Sequence, residues 1–331
     1  MEGSVHHPAA LRGWKDQRTL HCHALTPPHR PSRRVSAPKR CTKRHASSVA
    51  LPNGLDVDYV SRADVDFFYT EVFLQRCYTS RGITIRQGDT VIDVGSNIGI
   101  FAIFAAIEAG PTGRVIAVEP MPATFRCLES NAARARSWCP GSAPITCVNA
   151  GAGDGTASEG VFTFYPLGAG WSTMAPDEAE VASAVEAYLE DALEDLVGLE
   201  SSRLARVARG LKRALPGGVY GALQRAAVRA MVSVKREVRC PLVTVGDVAA
   251  EVGGGEVGVL KVDVERAELA VLRGVPEELW PRIRQVVGEV HEGSRAEFCA
   301  LLVAQGYEVE VWQEGGLSGT PLYSFAAKRP Q

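Results

Sequence analysis

The chain has 331 residues, 46% of them hydrophobic, which is enough to bury one large α/β core with residues left over. Residues 1–45 carry ten lysines and arginines against two acids, so the rest of the chain holds 26 basic and 36 acidic side chains. The excess of acidic side chains outside residues 1–45 argues against nucleic acid as a partner. No apolar run approaches the roughly 20 residues that span a bilayer.

Residues 1–48 are predicted to be a disordered basic leader. Basic pairs recur there with almost no acid and no hydrophobic periodicity, and such a composition cannot bury enough apolar surface to fold. An arginine- and serine-containing, acid-poor leader is typical of a transit peptide, which would send the protein to a plastid or mitochondrion. The alternative is a dispensable tail or a mistaken start site, in which case the protein would be cytoplasmic.

Residues 89–99 read DTVIDVGSNIG and predict a buried strand, a glycine turn and a helix over 97–107. A second strand over 114–118 ends at Glu119, whose carboxylate could accept both ribose hydroxyls of a bound nucleoside. The spacing D-x-G-x-x-x-G, formed by Asp93, Gly95 and Gly99, favours S-adenosylmethionine over a dinucleotide. The reason is that a sulfonium ligand brings no pyrophosphate for the turn to hold.

A third strand over 145–149 is followed by the small-residue loop 151–155, after helices predicted at 64–77 and 122–134. Such a loop could bracket an adenine, although it is also simply a turn. The candidate cofactor-binding residues are therefore Asp93, Gly95, Asn97, Gly99, Glu119 and Asp154.

A strand is predicted over 161–165. The amino-acid composition changes after it, and residues 176–239 are predicted to be a helical insertion. The stretch 177–200 holds nine acids and no base, whereas 203–239 holds ten basic residues and one acid. Opposite charge blocks predict helices packed antiparallel and broken near Pro216. The insertion is either a solvated addition or a lid over the site.

The sheet resumes with strands predicted at 257–264, 285–291, 307–313 and 322–327, and with helices at 266–273 and 294–305. Strands that alternate with helices and end in a terminal strand pair indicate an open, mainly parallel sheet with helices on both faces. Ligands of such sheets lie at the carboxyl ends of the strands, where Gly95, Glu119, Asp263 and His291 are all predicted to lie.

The strings DTVIDVGSNIGIFAIFAA (89–106), VEP (118–120), FTFYP (162–166), VLKVDVERAE (259–268) and WPRIRQVVGEVH (280–291) resemble the FkbM family of S-adenosylmethionine-dependent methyltransferases. Within that family, the chain resembles the subgroup similar to the modules found within polyketide and peptide synthetases. The resemblance implies a seven-stranded class I, Rossmann-like methyltransferase over residues 49–331, and O-methylation of a hydroxyl on a small molecule or carrier-bound intermediate. Many members of the family have glycine where this chain has Arg266.

Methyl transfer to an alcohol needs alignment of the reacting atoms and a base for the hydroxyl proton. His291 is the first candidate, since an unperturbed pKa near 6.5 would leave it mostly neutral at cellular pH. Asp263 is the second, either as an orienting group or as the base itself, and structural roles are expected for Glu265 and Glu289. A magnesium ion held by these four residues is the alternative use of the same cluster.

Two other classes of function remain open at this point. A nicotinamide-dependent oxidoreductase would need the pyrophosphate turn, which Ser96, Asn97 and Ile98 do not provide in the usual spacing. A non-catalytic scaffold of the same fold would lose the cofactor groups, whereas Gly95 and Glu119 are present. The acceptor and the oligomeric state cannot be read from the sequence.

Overall fold

A computed structural model describes residues 47–183, 186, 203–251, 253, 255–313 and 320–330. The predicted leader lies outside these residues except for its last two positions, where the first strand begins. The described strands are β1 Ser47–Ala50, β2 Asp56–Tyr59, β3 Thr90–Val94, β4 Arg114–Val118, β5 Ile145–Val148, β6 Gly151–Ala152, β7 Glu159–Phe164, β8 Arg236–Val243, β9 Val259–Val262, β10 Gln285–His291, β11 Glu308–Trp312 and β12 Leu322–Lys328.

Helices connect most of these strands. They are α1 Arg62–Tyr69, α2 Ile100–Ala109, α3 Pro122–Trp138, α4 Arg203–Ala214, α5 Gly217–Ser233, α6 Val245–Ala250, α7 Glu268–Arg273 and α8 Glu292–Ala304. Helix α1 continues as a π-helix over Thr70–Gln75, which leads into a short 3₁₀ turn at Cys77–Thr79. No helix in the described part of the chain is long and apolar enough to cross a membrane.

A seven-stranded sheet has the order β11-β12-β10-β9-β3-β4-β5. Strands β10, β9, β3, β4 and β5 are parallel, and β12 runs antiparallel between β10 and β11. Side chains alternate across β3, so Val91 packs with α2 and α3 on one face while Ile92 packs with α6, α7 and α8 on the other. The predicted class I fold, with a mainly parallel sheet covered on both faces, is confirmed.

A smaller sheet, β6-β8-β7, flanks the first one. Strand β8 pairs antiparallel with β7 and begins at Arg236, inside the range predicted for the helical insertion. The described helices of the insertion are residues 178–183, α4 and α5. The sequence predicts a break near Pro216, and α4 ends at Ala214 while α5 begins at Gly217; Val228 and Val232 of α5 pack on Tyr165 beyond β7.

Helix α2 begins three residues later than the sequence predicts. Gly99 has a φ of +90° and serves as the N-cap, so residues 97–99 form the turn between β3 and the helix. The sequence places the start of the helix too early because the apolar spacing of the helix continues through this turn. Residues of a turn that leads into a helix also pack against the sheet, so apolar spacing alone does not mark the boundary.

Candidate active site

The carboxyl ends of β3, β4, β9 and β10 open into one cavity of about 190 Å³. Its lining includes Glu119 and residues of the 150–152 segment on one side, and Asp263, Glu289 and His291 on the other. Five of the predicted site residues therefore lie around one space, as parallel strands that end at the same edge require: Gly95, Asn97, Glu119, Asp263 and His291.

Glu119 follows β4 and is held by two backbone groups. The amide of Asn97 donates to its Oε2 at 2.9 Å, and the amide of Met121 donates to its Oε1 at 2.8 Å. Burial raises the pKa of Glu119 to about 7, against the lowering effect of these two hydrogen bonds. Each carboxylate oxygen keeps a lone pair, so the group can still accept hydrogen bonds from a diol such as a ribose.

The two glycines of the turn have separate structural reasons. Gly95 has a φ of +82°, and a Cβ built there would lie 1.7 Å from the carbonyl oxygen of Asp263. A Cβ at Gly99 would lie 2.6 Å from Cδ1 of Leu128 on α3. Gly95 lines the cavity, whereas Gly99 lies behind it and sets the entry of α2.

A buried lysine connects the strands beneath the turn. The Nζ atom of Lys261 on β9 lies 3.2 Å from Oδ1 of Asp93 and 3.2 Å from Oδ2 of Asp263, and it donates to the carbonyl oxygen of Gly95 at 3.2 Å. Burial lowers the pKa of Lys261, but the two carboxylates raise it by more, so the side chain is charged. Asp93 is fully buried and lies outside the cavity lining, where it positions Lys261.

Asp263 is the polar group at the end of β9 and has two partners besides solvent. Its Oδ2 accepts a hydrogen bond from the Tyr78 hydroxyl at 3.1 Å and pairs with Lys261. Tyr78 comes from the 3₁₀ turn after the π-helix and is buried against Phe101. This arrangement fixes the direction of the Asp263 carboxylate toward the cavity.

His291 ends β10 and lies among three carboxylates. Its Nδ1 is 2.9 Å from Oε1 of the fully buried Glu268, and its Nε2 is 3.6 Å from Oε2 of Glu265 and 3.7 Å from Oε1 of Glu180. Burial lowers the pKa of His291, but the hydrogen bond with Glu268 and the three negative charges raise it to about 9. The expectation of a mostly neutral imidazole is therefore wrong, because it took no account of these neighbours.

Two further carboxyl groups line the same end of the cavity. Burial raises the pKa of Glu265 to about 8 and, with the charges of Asp263 and Glu71, raises that of Glu289 well above its usual range. Among the described residues, no three carboxylates, histidines or cysteines are arranged so that they could hold a metal ion.

The remaining cofactor candidates, Asn97 and Asp154, differ in their placement. Asn97 has a φ of +49°, lines the cavity and accepts a hydrogen bond from the amide of Ile98 at 2.6 Å. Asp154 is exposed and outside the cavity lining, because its carboxylate accepts hydrogen bonds from the amide and hydroxyl of Thr156. Gly151 and Ala152 of the same loop do line the cavity.

Sequence reasoning missed the groups that set the electrostatics around His291. Tyr78, Glu180 and Glu268 come from elements outside the recognised strand ends, and Lys261 is not among the candidate site residues that the sequence indicates. The string VLKVDVERAE does contain a signal, since a lysine inside an apolar strand requires a buried partner. Nothing local in the sequence indicates that Tyr78 or Glu180 reaches the site.

Comparison with known proteins gives a consistent result. The Methyltransferase FkbM domain matches residues 93–309. The chain is 36% identical over 284 residues to 31-O-demethyl-FK506 methyltransferase FkbM of Streptomyces tacrolimicus, with 85% of this chain and 96% of the relative covered. It is also 29% identical over 308 residues to the AMB antimetabolite synthetase AmbE of Pseudomonas aeruginosa, where it covers 89% of this chain but 13% of that protein.

Among solved structures, fibrillarin of Aeropyrum pernix in complex with S-adenosyl-L-methionine matches with 11% identity and a TM-score of 0.37. That alignment covers 88% of this chain and 98% of fibrillarin. An O-methyltransferase of Bacillus cereus in complex with SAH matches with 11% identity and a TM-score of 0.35, covering 81% of this chain and 82% of that one.

Proposed function

The chain belongs to the FkbM methyltransferase family, which uses S-adenosylmethionine, and from this premise we propose that it transfers a methyl group to a hydroxyl oxygen of a small molecule or a carrier-bound intermediate. The observation that carries the proposal is the His291–Glu268 pair at the end of the cavity opposite Glu119. A carboxylate-oriented imidazole is a group that can take a proton from an alcohol. The name of the FkbM relative supports oxygen as the acceptor, and the similarity to AmbE supports a carrier-bound one.

The residues at the Glu119 end fit the cofactor. The carboxylate of Glu119 has free lone pairs for a ribose, Gly95 presents only backbone atoms to the cavity, and Gly151 and Ala152 offer small surfaces for a flat base. When bound there, S-adenosylmethionine would supply a methyl group on a sulfonium centre, and transfer of that methyl group to oxygen would break the carbon–sulfur bond and release the neutral thioether S-adenosylhomocysteine. Neither the family nor the geometry of this turn supports the alternative function of a nicotinamide-dependent oxidoreductase.

At the other end, Lys261 and Tyr78 fix Asp263, which then orients the acceptor hydroxyl by accepting or sharing its hydrogen bond. Such alignment accounts for roughly 7–11 kcal/mol of barrier reduction in well-oriented reactions. The hydroxyl proton passes to Nε2 of His291 as the oxygen–carbon bond forms, and Glu268 stabilises the imidazolium that results. His291 must be neutral when the acceptor binds, so turnover requires loss of the proton that the raised pKa holds.

The experiment is incubation with S-adenosylmethionine carrying a ¹³C-labelled methyl group and a panel of alcohols, amines and thiols, free and carrier-bound. The ¹³C chemical shift of the product distinguishes O-methyl from N-methyl and S-methyl groups. We expect label on oxygen only, and a rate about 10²-fold lower in His291→Ala. Label on nitrogen or sulfur alone would contradict the proposal.

A further inference from the structure

Two consecutive residues after β9 adopt a backbone conformation that side chains disfavour. Glu265 has a φ of +51° and Arg266 a φ of +77°, which is the left-handed region that glycine occupies more readily. Such a conformation persists only where surrounding contacts hold it, and it is concentrated at functional sites. The contacts of Arg266 are therefore informative.

The guanidinium of Arg266 reaches across to the first residues of the helical insertion. Its Nη1 lies 2.9 Å from Oε2 of Glu180 and 3.1 Å from Oδ2 of Asp177. The backbone amide of Arg266 donates to Oε1 of Glu268 at 2.7 Å, and the hydroxyl of Thr173 donates to the carbonyl oxygen of Glu265. The strained loop thus holds residues 173–180 on one side and the partner of His291 on the other.

The segment held by Arg266 forms part of the cavity wall. Glu180 and Val181 line the cavity, and the second oxygen of Glu180 lies 3.7 Å from Nε2 of His291. Val181 is buried with Tyr165 and Val228, so the segment is continuous with the packing of α5. The single carboxylate of Glu180 therefore bridges Arg266 and His291.

We propose, on the basis of the function proposed above, that Arg266 is a positioning residue for the acceptor end of the site. It holds residues 177–183 closed as the acceptor-side wall and keeps the Glu180 carboxylate beside the imidazole of His291. Loss of the guanidinium frees the wall, weakens acceptor binding and leaves the Glu119 end unchanged. An ion pair at this partly exposed position is weakened by salt, so high salt should have a similar, smaller effect.

The test uses Arg266→Gly, which removes the guanidinium and also suits the left-handed backbone, so the variant should fold at least as well as the natural chain. Hydrogen–deuterium exchange of the amides of residues 178–183 is measured without any ligand. We expect about fivefold faster exchange there, with α2 unaffected. Arg295→Gln, which removes an exposed ion pair with Glu292 on α8, is the matched control and should leave exchange at 178–183 unchanged.

The second readout separates binding of the two substrates. In Arg266→Gly the KM of an alcohol that the wild-type protein methylates should rise, while the Kd of S-adenosylhomocysteine stays within twofold. Arg266→Lys, which keeps the charge but not the planar fork, should recover part of the change. If the wild type binds S-adenosylhomocysteine, but Arg266→Gly shows unchanged exchange at 178–183 and an unchanged acceptor KM, then this inference alone would be overturned. A wild type that binds no S-adenosylhomocysteine would instead overturn the proposed function, and the wall would lose its role with it.

Discussion

The charge of His291 is set by residues that are distant in the sequence. Its place at the end of β10 follows from the local pattern, since Val287, Glu289 and His291 alternate on a buried strand. Its pKa does not, because Glu180 comes from the insertion and Glu268 from the start of α7. A sequence pattern can therefore place an imidazole at a strand end, but only the fold shows whether it is neutral.

If His291 is the base, the rate should rise with pH up to about 9, where the imidazole loses its proton, and not level off near an unperturbed value. His291→Ala should lower kcat about 10²-fold and remove this dependence. Glu268→Gln should move the midpoint to lower pH, because the removed carboxylate raises the pKa of His291. The check is a kcat profile for the three proteins.

A profile that keeps its midpoint in His291→Ala would pass the role to another group. Glu265 would then be the first candidate, since burial raises its pKa to about 8. A wild-type rate independent of pH across this range would argue against any residue of the cluster as the base.

Among the secondary-structure elements, those encoded by local sequence patterns were predicted, whereas strands that depend on long-range pairing were missed. The β3–turn–α2 unit and the β4 strand were predicted within a few residues, because apolar runs and glycine turns are local signals. Strands β1, β2, β6 and β8 were missed. Strand β8 follows a helix-forming stretch, and what makes it a strand is its pairing with β7, which the sequence around Arg236 does not show.

An ion pair at the amino ends of the strands allows the stability of the fold to be tested separately from its function. Arg284, before β10, contacts Asp89, before β3, through two nitrogen–oxygen pairs, the first of which spans 3.1 Å. Because this pair is mostly buried, Asp89→Asn should lower the free energy of unfolding by about 1–2 kcal/mol and Tm by a few degrees. Affinity for S-adenosylhomocysteine should be unchanged, since the cavity is at the opposite ends of the strands.

The control for that variant is Glu310→Gln, which removes an exposed ion pair with Arg81 and should have no measurable effect on Tm. An equal loss of stability in both variants would show that the buried pair contributes nothing special. Weaker cofactor binding in Asp89→Asn would show that the two ends of the sheet are coupled.

On the scale of the whole molecule, the cavity concentrates buried ionisable groups whose pKa values are raised. Burial raises the pKa of Asp64 to about 6, of Glu119 to about 7 and of Glu265 to about 8, while His291 is raised to about 9 by its carboxylate neighbours. Every one of these groups binds a proton more tightly in the folded chain than in the unfolded one. Their contribution to stability is present at low pH and is lost as the pH rises through the folded-state values.

The ligand-free protein should therefore become less stable between about pH 5 and pH 9. Urea unfolding at a series of pH values measures this as a falling midpoint. Glu265→Gln should flatten the decline near pH 8, whereas Glu129→Gln, an exposed glutamate on α3, should leave it unchanged. A midpoint that rises over this range would contradict the raised pKa values.

The fold and one end of the cavity could be predicted from the sequence. The other end could not, for physical reasons. The fold and the Glu119 end depend on strand ends that the sequence marks with Gly95 and with the acid after β4. The acceptor end depends on side chains from α1's continuation, the insertion and α7, which meet only after folding. Asp154 shows the converse case, since a loop at the expected place turns its carboxylate toward its own backbone.

The proposed function requires that one cavity has a cofactor end at Glu119 and a proton-accepting end at His291. Calorimetric titration of S-adenosylhomocysteine into the wild type, Glu119→Ala and His291→Ala tests it most directly. We expect Glu119→Ala to bind at least tenfold more weakly, since charge-assisted hydrogen bonds contribute about 1.5–3 kcal/mol each, and His291→Ala to bind within twofold of the wild type. Unchanged affinity in a folded Glu119→Ala protein, or a large loss in His291→Ala, would contradict this division of the site.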